Sequence, residues 1–281
     1  MSELAVATPL PRVDAEGAVR FTTDGQGGSQ LAGLTQRGEM KIRFPERARR
    51  AHDPMAVLIN TAGGLTGGDQ VALAVTVEAG ANATVTSQAM EKLYRASGTA
   101  TCQISVDLRV GAGALLRWLP QETIVFDGGR LMREMRIELM GPDAGLLLHE
   151  GWILGRAAMG ERLGQADVRD RWSIRRDDRL LFAEILRIDE ILIARAARKC
   201  TLNNHSVMGT LAFVGADPQN LVDRWRDAAA VANISDVELA ASTRDGMAIA
   251  RLVARASEPY RMVVAALAVA ADSALPAVWR I

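Results

Sequence analysis

Apolar and polar residues alternate with a period of two through much of this chain. The pattern is clearest in residues 71–77, 102–110 and 135–139. Successive side chains of a β-strand point to opposite faces, so this alternation predicts strands with one buried and one solvated face. A chain dominated by such segments must pair them into sheets, because isolated strands leave their backbone groups unpaired.

Shorter apolar runs predict further strands that are buried on both faces. They cover residues 56–59, 114–119, 123–126, 146–149, 180–185 and 191–194. Glycine pairs and Asp-Asp or Gly-Pro steps separate these runs and mark turns. Aromatic residues make up only 4% of the chain, so aliphatic side chains must fill the core. The fold class predicted is mainly β.

Two α-helices are predicted in the C-terminal third. Asp217 is a good N-cap, Pro218 suits the first helical position, and helical spacing continues to about residue 232. The second helix is predicted over about 259–275, with Met262, Ala266, Val269 and Ser273 near one stripe. Residues 237–239 and 248–253 between the helices are typical of two strands.

The chain of 281 residues is long enough for one large domain. Prolines at 9 and 11 and the glycine-rich residues 25–28 predict a loosely ordered segment over 1–30, with one short strand around 19–21. We find no internal repeat and no linker in the sequence, so residues 31–281 are predicted to form a single domain.

Charge and cysteine content exclude several classes of protein. Lys and Arg number 33 and so do Asp and Glu, which argues against a nucleic-acid binder with its usual basic excess. The first residues lack the basic and apolar regions of a signal peptide, and the most apolar windows are about half as long as a membrane span, so we expect a cytoplasmic protein with no membrane partner. Cys102 and Cys200 stand far apart and form no zinc motif.

The densest glycine cluster, Asn-Thr-Ala-Gly-Gly-Leu-Thr-Gly-Gly-Asp, covers residues 60–69. It is not a P-loop, because Asp69 rather than Lys follows Gly68 and a strand pattern rather than a helix comes next. A glycine-rich turn between strands is commonly structural, but a carboxylate at its end makes it a candidate site. His52, His149 and His205 form no metal-binding motif.

Several acids lie beside strand or turn signals, namely Asp69, Glu122, Glu150, Glu161 and Glu184. An acid in apolar surroundings either faces solvent or is buried with a partner or an ion. Both alternatives remain open from the sequence.

Four motifs in order resemble the family of the urease accessory protein UreD. They are the glycine cluster at 60–69, T-S-Q-A-M-E-K-L-Y-R at 86–95, W-L-P-Q-E-T-I-V-F at 118–126, and L-G-R at 154–156 followed by Gly160-Glu161. The positions that match the family motifs are Gly63, Gly64, Gly67, Gly68, Asp69, Lys92, Tyr94, Arg95, Gln121, Glu122, Gly155, Arg156 and Glu161. Thr61-Ala62 replaces the usual Pro-Pro, and Met90-Glu91 replaces smaller residues. Lys92 and Arg95 are expected to pair with nearby acids that hold the turn.

The resemblance implies a mainly β, helically wound architecture with two helices. It also implies a function that is not enzymatic: a chaperone for nickel insertion that binds apo-urease and recruits UreF and, through it, the GTPase UreG. No tightly bound cofactor is implied, only Ni²⁺ in transit through an internal passage, and a dimeric form within the accessory complex stays open.

We hypothesise that the acids lining the passage include Asp69, Glu122, Glu150 and Glu184. One alternative is a carboxylate-dependent hydrolase on a β scaffold, which requires two carboxylates about 5 to 10 Å apart in an open cleft. The other is a passive assembly module that never contacts nickel. A continuous interior passage lined by acids would distinguish the nickel-passing chaperone from the hydrolase and from the passive module.

Overall fold

The chain winds between two β-sheets that face each other. The computed structural model describes residues 12–45, 53–155, 160–161 and 163–279. Strands are numbered in chain order. Those of the first sheet are β1 (Asp14–Thr23), β2 (Ser29–Arg37), β5 (Gln70–Val77), β8 (Cys102–Val110), β11 (Gly129–Leu139), β13 (Ala166–Arg176) and β14 (Arg179–Ile188). Those of the second sheet are β3 (Met40–Arg43), β4 (Met55–Asn60), β6 (Asn82–Ser87), β7 (Glu91–Leu93), β9 (Leu115–Leu119), β10 (Thr123–Val125), β12 (Gly145–Leu154), β15 (Val207–Val214), β16 (Val237–Arg244) and β17 (Met247–Ala254).

The central part of the chain has a helical winding. It passes in turn through β5, β6, β8, β9, β11, β12 and β13, so that longer strands alternate between the sheets. Neighbours β5, β8, β11 and β13 are parallel in the first sheet, as are β6, β9 and β12 in the second. Parallel neighbours cannot be joined by a tight hairpin, and the strand in the opposite sheet supplies the connection. The predicted mainly β, helically wound architecture is confirmed.

The core lies between the sheets. In β5 the side chains of Val71, Val75 and Val77 are buried, while Ala72 and Ala74 are exposed on the opposite face. The same alternation holds in β8 and β11, which confirms the period-two prediction for these segments. Leu73 shares the inward face but is only partly buried, because it lines a cavity.

Three α-helices lie in the C-terminal third of the described chain: α1 (Glu190–Arg195), α2 (Pro218–Ala232) and α3 (Ser257–Ala270). Helix α2 begins as predicted, with the Asp217 carboxylate accepting from the backbone N–H of Asn220. A 3₁₀ turn over Ala277–Trp279 follows α3. No described helix combines the length and the apolar content that crossing a membrane requires.

The predicted stripe on α3 is wrong. Met262 and Val269 are more than half exposed, whereas the side chains that pack inward are Tyr260, Val263, Val264, Leu267 and Ala268. Helical spacing alone cannot select the inner face, because both faces of this helix carry apolar residues. The helix also ends at Ala270, five residues before the predicted end.

Two further predictions need correction. Residues 191–194, predicted as a strand, belong to α1, where the Asp189 carboxylate caps the helix by accepting from the N–H of Leu192. The loosely ordered segment is wrong for residues 14–23, which form the long strand β1 beside β5. Strand β1 includes the short strand predicted around residues 19–21, and it pairs with β2, the next strand along the chain, as well as with β5. The β5 partner lies more than fifty residues away, so no local pattern signals that pairing. Residues 1–11 lie outside the described residues.

Candidate functional site: a cavity between the sheets

A cavity of about 180 Å³ opens between the two sheets. Exposed Gly63, Gln88 and Lys92 lie along its outer part, and buried Arg133 and Glu150 lie at its inner end. The volume is sufficient for several water molecules. The cavity therefore connects the protein surface with charged groups in the interior.

The glycine motif forms the turn beside the outer part of the cavity. The ring of Tyr94 lies where a Cβ on Gly64 would be, so only glycine fits there. The buried Asp69 carboxylate accepts from the N–H of Thr66 at 2.7 Å and from the N–H of Val13 at 3.0 Å. Asp69 thus closes the turn and fixes the chain that leads into β1.

Glu91 is the acid of the outer part of the cavity. Asn60 Nδ2 donates to its two carboxylate oxygens, at 3.2 and 3.1 Å, and the N–H of Lys92 donates to Oε1 at 2.9 Å. Burial raises the pKa of Glu91 despite these donors. The sequence singled out Glu91 only as a departure from the family pattern, and its place in the wall was visible only in three dimensions.

Glu150 is the acid at the inner end. Trp118 Nε1 donates to its Oε1 at 2.9 Å, and Arg133 Nη2 lies 2.6 Å from its Oε2. Arg133 also binds the Asp170 carboxylate through Nε at 2.7 Å and Nη2 at 2.8 Å. Burial raises the pKa of Glu150, Arg133 opposes this effect, and the charge of Asp170 adds to it. Burial would lower the pKa of Arg133, but Asp170 and Glu150 outweigh it and raise that pKa.

Glu122 and Glu184 lie in other parts of the molecule. Glu122 is fully buried near Tyr260, with Arg261 Nε 4.0 Å from its Oε2, and burial raises its pKa. Neither of its oxygens has a hydrogen-bond partner among the described residues. Glu184 accepts from both terminal nitrogens of Arg251 at 2.7 Å, which ties β14 to β17.

Of the four predicted acids, Glu150 alone lines this cavity in the described structure. Gln121, Gly63 and Lys92 from the predicted motifs also line it. Any role of the four acids toward nickel stays a prediction.

His149 is a packing residue of the second sheet. Its Nδ1 lies 2.9 Å from the carbonyl oxygen of Pro120, which can only accept, so Nδ1 carries the proton and Nε2 accepts from the Tyr260 hydroxyl at 2.9 Å. Burial lowers the pKa of His149 to about 4. Both ring nitrogens are therefore committed in a neutral imidazole.

Nitrogen and sulfur ligands are not gathered into a metal centre in the described part of the chain. Burial, with the nearby charges of Asp69 and Glu91, raises the pKa of the Cys102 thiol to about 12, so it stays protonated. Within the described residues we find no group of three or more His, Cys, Asp or Glu side chains that could hold a metal ion.

The other motif residues meet around Asp127. The Arg95 guanidinium pairs with its carboxylate, so the acid that Arg95 binds lies outside the glycine turn, and Glu161 Oε1 accepts from the N–H of Asp127 at 3.1 Å. Tyr94 packs on Phe126 with ring centroids 4.9 Å apart. Residues of the second, third and fourth motifs thus form one structural junction.

Two more motif positions support the backbone. Gln121 Nε2 donates to the carbonyl of Gln88 at 3.1 Å. Gly155 has a φ of 76° and donates its N–H to the carbonyl of Val125 at 2.8 Å. Arg156 lies outside the described residues.

A paired-carboxylate hydrolase site finds little support in this geometry. Glu150 and Asp170 lie close together, but both are bound to Arg133, and Asp170 is buried and does not line the cavity. A glycosidase-like pair must instead face an open cleft that admits the substrate.

The fold and the site together define a class: a two-sheet β-solenoid protein with a cavity between its sheets, in which two acids lie among mainly apolar side chains. The family model described as UreD urease accessory protein matches residues 13–280. The chain belongs to this family.

Named relatives are similar over nearly the whole chain. The urease accessory protein UreD of Rhodopseudomonas palustris (strain BisB18) is 41% identical over 267 residues, which cover 94% of each chain. That of Bradyrhizobium diazoefficiens is 37% identical over 280 residues, or 99% of each chain. That of Methylobacterium sp. (strain 4-46) is 38% identical and covers 84% of this chain and 83% of its own.

Proposed function

We propose that this protein is a non-enzymatic chaperone of urease maturation in the cytoplasm. It binds apo-urease, recruits UreF and through it the GTPase UreG, and passes Ni²⁺ through the cavity between its sheets. Family membership and the relatives' name, urease accessory protein, support the maturation role. The observation that carries the nickel role is the cavity itself, with Glu91 in its outer part and Glu150 at its inner end.

The chemistry of the cavity wall suits an ion in transit. Ni²⁺ binds nitrogen and sulfur donors tightly, so a His or Cys cage would retain it. Among mainly apolar side chains, the cavity wall contains two carboxylates, the cations Lys92 and Arg133, Asn60 and two glutamines, and neither His nor Cys is among its described residues. Carboxylates with water can accept a divalent cation and release it quickly.

The passive assembly module remains the second candidate. It requires only partner surfaces, and a solid core would favour it. The charged groups in the cavity favour a passage, because burying Glu150 and Arg133 beside empty space brings no packing gain to a passive scaffold.

The test is urease activation in cells whose only copy of this protein carries Glu150→Gln. We expect the nickel content and specific activity of urease to fall by about tenfold or more, because the neutral amide is a poor ligand for a cation. Glu134→Gln is the matched control. Glu134 lies on the exposed face of β11, where it pairs with Arg136. The Glu134→Gln protein should therefore activate urease normally.

Co-purification separates the scaffold role from the nickel role. Glu150→Gln should bind UreF and apo-urease as the unaltered protein does, because the substitution lies in the interior. Full nickel loading with Glu150→Gln would contradict the passage. Failure of the unaltered protein to bind either partner would contradict the scaffold.

A further inference from the structure

We propose that Arg133 is a counter-ion gate for the inner end of the cavity. Its guanidinium pairs with the Glu150 carboxylate while the cavity holds no metal ion. When a divalent cation binds Glu150, the guanidinium leaves Glu150 and stays paired with Asp170 alone. This inference rests on the proposed passage of Ni²⁺ and names the residue that regulates it.

Arg133 belongs to one sheet and Glu150 to the other, so their contact crosses the cavity. Asp170 is the direct neighbour of Arg133 on the adjacent parallel strand, in register between β11 and β13. The guanidinium therefore has one partner across the cavity and one beside it. Both Arg133 and Glu150 line the empty space, where an arriving cation would meet them.

The two partners hold Arg133 unequally. Asp170 accepts hydrogen bonds from two nitrogens, Nε at 2.7 Å and Nη2 at 2.8 Å, whereas the nearest contact of Glu150 is with Nη2 at 2.6 Å. Breaking the contact with Glu150 leaves the fork-like pair with Asp170 complete. The guanidinium also lies 4.9 Å from the ring centre of Trp152, which supports its plane at that position. Release of Glu150 thus requires a small movement and leaves no unpaired charge on Arg133.

Burial explains why Glu150 needs a resting counter-ion. Glu150 is 5% exposed, Arg133 9% and Asp170 1%. An ionised carboxylate in such a site is costly unless a positive charge accompanies it. Two carboxylates share one guanidinium, so the three groups carry one net negative charge when ionised, and a divalent cation at Glu150 is attracted to them. Trp118 Nε1 stays on the other carboxylate oxygen and keeps it aimed.

Competition with Arg133 makes cation binding at Glu150 weak and reversible. A cation must displace the guanidinium to bind, and the guanidinium returns to displace the cation. Removal of the competitor would leave Glu150 to bind the cation more tightly and release it more slowly.

Two variants should act in opposite directions. Asp170→Asn is nearly isosteric and removes the charge that receives Arg133, so Arg133 stays on Glu150 and the nickel concentration for half-maximal activation rises. Arg133→Met combined with Asp170→Asn removes one charge of each sign and leaves Glu150 without its counter-ion. The nickel concentration for half-maximal activation and the maximal activation rate should then both fall. We expect shifts of about fivefold or more for groups in one buried network.

The experiment titrates NiCl₂ into the complete accessory complex with apo-urease and measures the urease activation rate. Thermal unfolding and co-purification with UreF report whether each variant is folded. Opposite shifts of the half-saturating concentration support the gate. Shifts in the same direction, or a lower maximal rate at unchanged half-saturation, overturn it, because a merely structural ion pair changes only the amount of active complex.

Asp170→Asn decides the question if the double variant does not fold, since an unchanged or lower half-saturating concentration would overturn the gate. Glu150→Gln in the same series separates the two proposals. Full activation by Glu150→Gln overturns the passage itself. Impaired activation by Glu150→Gln without opposite shifts in the other variants overturns only the gate.

Discussion

Asp69 shows how one side chain of the glycine motif joins distant parts of the chain. Its two carboxylate oxygens accept from Thr66 in the same turn and from Val13, 56 residues earlier. A carboxylate can satisfy both N–H groups at once, because it has acceptors only. The motif therefore needs an acid at this position for structural reasons, independently of nickel.

We predict that Asp69→Asn lowers the free energy of unfolding by about 1–3 kcal/mol, because the amide group has one acceptor oxygen and leaves a buried N–H unpaired. Urea unfolding followed by circular dichroism measures the change. Asp107→Asn, on the exposed face of β8, is the control and should stay within about 0.5 kcal/mol. Equal stability of the two variants would contradict the role of Asp69 in the turn.

The nickel role of Asp69 is tested separately by urease activation with Asp69→Ala. Because that substitution also removes both turn contacts, its activity must be normalised to the folded protein recovered. Full nickel loading per folded molecule would remove Asp69 from the mechanism.

Strands β12 and β15 carry a pair of facing glycines beneath α3. Gly151 and Gly209 are direct partners in the ladder. The Tyr260 hydroxyl lies where a Cβ on Gly209 would be, and it also approaches the Cβ position of Gly151 at 3.1 Å. The absence of both side chains lets α3 insert Tyr260 to reach His149.

Gly209→Ala should push Tyr260 away and cost about 1–3 kcal/mol of stability through overpacking and loss of the bond to His149. Urea unfolding measures the loss. Gly98→Ala is the matched control, because an added Cβ there meets no atom within 4 Å. A Gly209→Ala protein as stable as this control would show that α3 can shift without cost.

Elements of this fold differ in how far local sequence predicts them. Helix α2 follows from its N-cap and proline, and strands β5, β8 and β11 follow from alternation. The inner face of α3 does not follow, because the choice depends on which apolar stripe meets the sheet and α2. Helix α1 was also missed, since a short apolar run suits a buried strand and a helical turn equally.

The stability of the whole molecule should depend on pH through its buried neutral imidazole. The pKa of His149 is about 4 in the folded protein and about 6.5 when unfolded. Between these values the unfolded chain binds more protons, so the stabilisation is complete above pH 6.5 and is lost as pH falls toward 4. The expected loss from this residue is about 3 kcal/mol.

Urea unfolding at pH 7 and pH 4.5 measures this loss, and His149→Gln supplies the comparison. The variant should lose less stability over the interval, since its amide does not titrate. Partly buried Glu91 and buried Glu122 have raised pKa values and contribute with the opposite sign, losing stability as pH rises. Both are present in the two proteins, so only a change that the substitution makes to Glu122, which lies beside His149, enters the difference. Equal losses in the two proteins would contradict a buried neutral His149.

By itself the sequence determined the mainly β class, the two long helices, the family and the glycine turn. These depend on period-two or helical spacing, capping residues and φ-permissive glycines, all of which act over a few positions. Tertiary structure alone decided that Glu91 and Glu150 share a cavity, that Glu184 pairs with Arg251, and that Arg133 lies between Glu150 and Asp170. The physical reason is that parallel strands are paired across a whole coil of chain, so residues far apart become neighbours through long-range register that no local pattern encodes.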